Sequence, residues 1–300
     1  MKITAIVIIG SDTYSYKMLA GCLKTLEFCD ETLLVDFSGG KHKLPNGKKI
    51  SIVKVEPDSS FAKIRHKGAK EAKGDWLFYV DPDERVSSEL RSETVLSIKN
   101  KVSSGRKEKV LGMKNVVYSN KDKKPNTSYS IPHTLYSGYY LSRRNFYLGK
   151  EFKHAGAWPD KVLRLIKKDS LKGWQGDLHE QPVIEGKTGE LKSPIIHLTH
   201  RSIRQMTEKT LNWSKKEAKL RLDSKHPMMT SWRFWRIIFS SFWENFVKKG
   251  AWKDGTEGTI EGIFQMFSMF MTYVRLWEAQ QKPSLEEKYR KIEMNIDNIQ

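Results

Sequence analysis

Trp76-Leu77-Phe78-Tyr79-Val80-Asp81-Pro82-Asp83-Glu84-Arg85 is the stretch that decides the fold of this chain. Five apolar or aromatic residues run without interruption and stop at two carboxylates one residue apart. Such a run before a Pro-containing turn reads as a buried strand delivering acids to its carboxyl end. In open α/β sheets, ligands sit beyond that end of the strands. Asp81 and Asp83 are hard oxygen donors, and together they suit a divalent cation that holds a diphosphate. The plainer reading is a turn whose acids cap a helix starting near Ser88.

The flanking sequence places this strand in a repeating pattern. Residues 3 to 9 form a continuous apolar strand, and 16 to 28 show helical spacing in Met18, Leu19, Leu23 and Leu26. Strands are expected at 32 to 35, ending on Asp36, and at 50 to 55. Helices are expected at 61 to 73, with a basic outer face, and at 88 to 100. Strand–helix alternation at this pitch predicts an α/β fold with a mostly parallel sheet. After Lys101 the pattern changes. Another strand is expected at 110 to 118, a polar Pro-bearing loop at 120 to 133, and short strands between Gly-rich turns up to residue 200. From Ser202 onward the chain reads as helical. This divides it into a catalytic domain, 1–200, and a helical C-terminal region, 201–300.

The composition narrows the function classes. The formal net charge is +18, spread through the chain, with 9 Trp, 11 Tyr and 13 Phe. That charge predicts attraction to anions: phosphorylated substrates, a membrane surface or nucleic acid. No zinc-finger spacing, aromatic RNP-like segment or Gly-rich RNA loop accompanies it, so nucleic acid is not expected. Cys22 and Cys29 show neither metal spacing nor a disulfide framework, which fits a reducing compartment. The N-terminal apolar run has no signal-peptide anatomy.

Two further residues suit the donor side. Asp36 ends a strand beside Gly39-Gly40, where a carboxylate can hydrogen-bond a nucleobase or ribose. Arg65, on the helix before the acidic strand, can contact a diphosphate or form a forked pair with Asp81. Both also have bland readings, as a turn cap and as a solvated helix face. Lys63, Lys67, Lys70 and Lys73 read as surface charge.

The ordered set Val35-Asp36, Arg65-His66-Lys67-Gly68, Ala72-Lys73-Gly74-Asp75-Trp76 and Asp81-Pro82-Asp83-Glu84-Arg85-Val86 resembles family 2 glycosyltransferases. Within that family it is similar to the branch containing lipopolysaccharide inner-core β-glucosyltransferases. The likeness runs on through Arg143 to Lys150, Gly156 to Leu165, Leu178-His179-Glu180, His197 to His200 and Tyr273 to Glu278. It spans roughly residues 3 to 280. The resemblance implies a GT-A fold, a Rossmann-like architecture for nucleotide-diphospho-sugars, with inversion at the anomeric carbon. Asp36 would then contact the nucleoside, Asp81 the nucleotide, and Asp83, with Asp81, a Mg²⁺ or Mn²⁺ ion. Two places depart from the family pattern. Gly10-Ser11-Asp12 stands where an Asn-Glu pair is usual, and Ser38-Gly39-Gly40-Lys41 replaces a Ser-Thr-Asp run.

An inverting transfer needs a base for the acceptor hydroxyl. Glu180 after the Gly176 turn is the first candidate and matches the family's catalytic acid. Asp160, after Trp158-Pro159, is the second. Trp158 can stack on a sugar, His179 can orient Glu180, and Arg164 joins them on the acceptor side. His197 and His200 read as structural more than as metal ligands.

Residues 228 to 246 concentrate Trp and Phe between Arg233, Arg236 and Lys248. The charge-free run from Gly262 to Val274 would span about 20 Å as a helix, short of the roughly 30 Å hydrocarbon core. No transmembrane span is expected. Aromatic and basic residues on amphipathic helices favour an anionic membrane interface, while packing on the catalytic domain or on a second copy is the alternative. The expected partners are a nucleotide-sugar donor and a cell-envelope glycan or lipid-linked acceptor. The expected location is the cytoplasmic face of the cell membrane, held peripherally. Two rivals stand beside this reading. A sugar-phosphate nucleotidyltransferase would show a better Gly-rich loop than Gly10-Ser11-Asp12. A non-catalytic basic nucleic-acid- or membrane-binding protein would lack nucleotide-sugar affinity.

Overall fold

The structure is a computed structural model that describes residues 1–99, 136–176 and 180–297. The strand expected at 110 to 118, the loop at 120 to 133, and His179 lie outside the described residues.

Four parallel strands form one half of the sheet: β1 (Ile3–Ile9), β2 (Glu31–Asp36), β3 (Ile50–Lys54) and β4 (Trp76–Tyr79), in the order β3-β2-β1-β4. All seven residues of β1 are buried. This is why its sequence is continuously apolar and does not alternate: helices cover both faces. Ala5, Val7 and Ile9 pack with Leu19 and Cys22 of α1 (Thr13–Thr25) and Leu90 of α3 (Ser88–Lys99). Ile6 and Ile8 point the other way, onto Ile64 and Ala69 of α2 (Phe61–Glu71). At Gly68 a Cβ would lie 3.0 Å from both Ile6 and Val35, so the absence of a side chain lets α2 seat closely on the sheet.

The remaining strands are β5 (Glu84–Arg85), β6 (Gly138–Tyr147), β7 (Lys150–Glu151), β8 (Asp160–Lys167), β9 (Leu171–Gln175), β10 (Gln181–Ile184), β11 (Thr188–Glu190) and β12 (Ile195–Leu198). The sheet continues from β4 through β8, β6 and β12 to β5. β8 enters antiparallel to both β4 and β6, and β12 returns parallel to β6. The sheet is therefore mixed, and its parallel half matches the alternation read from the sequence. β9 and β10 form a separate antiparallel pair.

From residue 203 the chain is helical: α4 (Ile203–Asp223), α5 (Ser231–Phe242), α6 (Gly255–Ala279) and α7 (Leu285–Asp297). α5 runs on into a π-helical turn, Trp243–Lys248, and a 3₁₀ turn, Ala251–Asp254. Ala218, Ile237 and Leu276 join α4, α5 and α6 in a small core of their own. Among the described residues, no helix is long and apolar enough to cross a membrane.

Candidate active site

The order of β1 to β4 creates the crevice. β2 and β3 lie on one side of β1 and β4 on the other, so the chain reverses direction of travel across the sheet at β1. Asp36, Gly10 and Asp81 leave the carboxyl ends of β2, β1 and β4 at this crevice.

The acid turn after β4 is tightly built. Glu84 N donates to Asp81 O (2.9 Å), and Asp81 N donates to the Glu84 carboxylate (2.8 Å). Arg85 locks the turn to α1. Its guanidinium donates to the carbonyls of Pro82, Glu84 and Met18 at 2.7 to 2.9 Å. A Cβ at Gly21 would strike that guanidinium at 2.6 Å, so a glycine on α1 makes room for it.

Arg164, placed on the acceptor side by the sequence, belongs to this acid corner. One of its terminal nitrogens donates to Asp81 (2.5 Å) and to Glu84 (2.6 Å), and the residue is only 6% exposed. The antiparallel insertion of β8 beside β4 brings it there. Burial opposes ionisation of Asp81, but the guanidinium charges of Arg164 and Arg65 outweigh it and hold this carboxyl well below the usual range. Burial pushes Glu84 upward, with the Asp81 charge adding to that rise and Arg164 opposing it.

Asp83 is buried, and its Oδ2 lies 3.5 Å from His197 Nε2. The ring's other nitrogen sits 2.6 Å from Asn145 Oδ1. Asn145 uses its amide nitrogen to donate to Ala157 O (2.9 Å) and Asp160 Oδ2 (3.0 Å). Its oxygen is therefore an acceptor, and His197 Nδ1 carries the proton that it accepts. Asp160 also takes a forked pair from Arg143 at 2.8 and 3.0 Å. A continuous polar chain thus runs from Asp83 through His197 and Asn145 to Asp160. Burial opposes ionisation of Asp83 and of Asp160. His197 lowers the first and Arg143 the second, so both carboxyls end below their ordinary value.

Arg65 does not pair with Asp81. Its guanidinium lies over Trp174 (5.0 Å) and Tyr79 (5.8 Å), whose rings meet edge to face. No hydrogen bond or ion pair engages it among the described residues, and its Nε is buried. Asp36 is buried and accepts from Ser38 N (2.9 Å). It opens onto a cavity of ≈ 650 Å³ that Lys54, Lys63, His66, Lys67 and Lys70 also line. Three lysines read from sequence as plain surface charge therefore border this cavity.

Glu180 follows β9 and immediately precedes β10. It is half-buried, with Oε1 buried and unbonded among the described residues. Trp158 is 45% exposed. Among the described residues no group of three or more His, Cys, Asp or Glu side chains could hold a metal by itself. Asp83 offers a carboxylate of the kind that a ligand's own phosphate oxygens complete into a cation site.

Arg143, Asn145, Glu84 and Trp174 were not singled out by the sequence reading. One signal was available: Arg164 stands in Val162-Leu163-Arg164-Leu165-Ile166. A lone guanidinium in an apolar strand implies a buried acid partner.

No family model matches the chain. Three solved structures are similar to it in part. The 1–349 segment of S. aureus TarS in complex with UDP-GlcNAc is 12% identical over 97% of this chain and 92% of its own, with a TM-score of 0.39. The mannosyltransferase PcManGT of Pyrobaculum calidifontis, in complex with GDP-Man and Mn²⁺, is 9% identical over 98% of this chain and 80% of its own, with a TM-score of 0.40. A nucleotidyl transferase of Methanothermobacter thermautotroptrophicus is 17% identical over 30% of this chain, which spans 56% of that protein's length, with a TM-score of 0.25.

Proposed function

We propose that the chain is a GT-A-type glycosyltransferase of family 2, acting on a nucleotide-diphospho-sugar with inversion at the anomeric carbon. The observation that carries this reading is Arg65: a guanidinium without a hydrogen bond or ion pair among the described residues, held by two aromatic rings and acting on the acid at the end of β4. An unanswered cation in a fixed position suits an anion that arrives with the substrate, and a diphosphate matches its planar donor geometry.

The roles divide accordingly. Asp36 and the basic cavity beside it take the nucleoside end of the donor. Asp83 would hold Mg²⁺ or Mn²⁺, its carboxylate supplying a hard oxygen donor. Asp81 has one oxygen committed to Arg164 and contributes from its other oxygen or through the field it sets. When bound, the cation neutralises charge on the departing diphosphate.

The acceptor hydroxyl attacks the anomeric carbon as the bond from that carbon to the phosphate oxygen breaks, and the nucleoside diphosphate leaves. Glu180 takes the hydroxyl proton. Its unbonded buried oxygen is free to do so, whereas Asp160 is held as a weakly basic carboxylate by Arg143 and Asn145. Asp160 is therefore a positioning residue for Asn145 and His197. Trp158 provides an exposed ring for a sugar face, and His179 is kept as the partner of Glu180 on the resemblance alone.

The acceptor is a cell-envelope glycan or lipid-linked saccharide, and the enzyme works at the cytoplasmic membrane face, as in the lipopolysaccharide inner-core branch that the sequence resembles. A thermal-shift panel of nucleotide-sugars with and without Mn²⁺ tests the donor reading. Stabilisation by at least one donor, dependent on the metal, is expected. No response across the panel would overturn the reading.

A further inference from the structure

The C-terminal helices break the ordinary rule for surfaces. Trp232, Trp235, Phe239, Phe242 and Trp243 are all exposed, Trp232 by 73% and Phe239 by 66%. Their spacing puts them along one side of α5 and the first residue of the π-helical turn that continues it. The opposite side buries Ile237 and Ser241, and Phe234 meets Phe270 of α6 at 5.9 Å. With side chains of about 150–250 Å² each, the five rings leave on the order of 700 Å² of apolar surface open. Soluble monomers seldom exceed about 300–600 Å² in one patch.

The charged residues of α5 are of one sign. α5 contains Arg233 and Arg236 and no acid. The next acid, Glu244, is answered by Lys248 and Lys249 at 3.2 and 3.5 Å. A second copy seated on this face would set those cations against their own counterparts. Trp-rich apolar surface rimmed by arginine matches the boundary between headgroups and acyl chains, where anionic lipid supplies the missing negative charge.

The same segment is bonded to the acceptor side of the candidate site. Lys153 N and His154 N donate to the carboxylate of Asp254, at 3.2 and 2.8 Å. Ala155 N donates to Lys249 O (2.9 Å), and Lys150 pairs with Glu257 (3.3 Å). The loop carrying Trp158 and Asp160 is therefore fastened to the turns that follow α5.

The geometry points to α5 as a docking element for an anionic lipid bilayer, and to an acceptor presented from that bilayer to the Trp158 loop. The second half rests on the glycosyltransferase reading; the first does not.

The test uses the full chain and co-sedimentation with vesicles of phosphatidylglycerol and phosphatidylcholine, against vesicles of phosphatidylcholine alone. Wild type should pellet with the anionic vesicles. The Trp235→Ser/Phe239→Ser variant should bind at least about tenfold more weakly, since two large apolar side chains no longer enter the lipid. The Arg233→Ser/Arg236→Ser variant should lose the preference for anionic lipid. Unchanged melting transitions keep misfolding apart from lost docking. Wild type remaining in the supernatant would overturn the proposal, as would equal pelleting of the Trp235/Phe239 variant. A concentration-dependent dimer abolished by that variant, with no vesicle binding, would assign the face to self-association and overturn it too. Donor-induced thermal stabilisation, read separately, distinguishes the two failures. Donor binding without vesicle binding sinks only the docking, and vesicle binding without any donor response sinks only the catalytic reading.

Discussion

The acid turn after β4 and the outer face of α5 break the same rule in opposite senses. Around Asp81, carboxylates and guanidinium groups are buried, and nearly every one is met by an ion pair or hydrogen bond. On α5, large aromatic rings are exposed and touch chiefly one another. Polar groups inside and apolar groups outside both cost stability unless something answers them. In the first region the protein itself supplies most of the answer. In the second the described residues supply little of it. Departures from patterning concentrate where function is placed, and the contrast separates a site finished in advance from a surface that waits for a partner.

The comparison can be broken most directly at the base. Glu180→Gln should lower kcat by about 10²–10⁴-fold while donor affinity, read by calorimetry, stays within about twofold of wild type. Full activity in this variant would remove Glu180 from its role and reopen Asp160. The next largest effect concerns the pre-answered corner. Arg164→Met leaves the buried Glu84 and the half-buried Asp81 without their cation. The melting transition should drop by the equivalent of about 3–5 kcal/mol. A variant as stable as wild type would show that the corner does not depend on this guanidinium.

Arg65 is the exception within that corner, a cation with no ion pair among the described residues. Arg65→Met should weaken nucleotide-diphospho-sugar binding by about 10- to 100-fold, the loss of charge-assisted hydrogen bonds worth roughly 1.5–3 kcal/mol. Because no ion pair is broken, stability should change little. The opposite pattern, large destabilisation with intact affinity, would make Arg65 a structural residue.

The smallest effect is one of pH. Asp160 is held below its ordinary value of 3.8, chiefly by Arg143, against the opposing effect of burial. A depressed carboxyl contributes stability that is present above the unfolded value and is lost as pH falls through the folded one. Arg143→Met lets the folded value rise. The acid limb of melting temperature against pH should therefore move to higher pH than in wild type. An unmoved limb would mean that Asn145 alone holds Asp160.

The parallel half of the fold was legible because its signals are local. β1, β2 and β4 are apolar runs because both sheet faces are covered, and α1 and α2 show their helical spacing within a dozen residues. Asp81 and Asp83 were legible for the same reason, as the end of one such run. The company they keep was not. Arg164 reaches Asp81 from 83 residues away, through an antiparallel strand inserted next to β4, and His197 reaches Asp83 through β12. Those pairings depend on register between distant strands, and short mixed strands between Gly turns carry little of it in their own sequence. What Lys63, Lys67 and Lys70 border was not legible for a related reason: a helix periodicity gives a face, but only the packed sheet shows the cavity beside it.

The central claim is that the carboxylate of Asp83 binds a cation together with a donor diphosphate. Titration calorimetry of nucleotide-diphospho-sugars against the full chain, with Mn²⁺ and with EDTA, addresses it directly. Binding should require Mn²⁺ in wild type and be lost in Asp83→Ala, a variant that keeps both ion pairs of Arg164 and whose melting transition is read alongside. Donor binding of equal strength in EDTA, or in Asp83→Ala, would contradict the account.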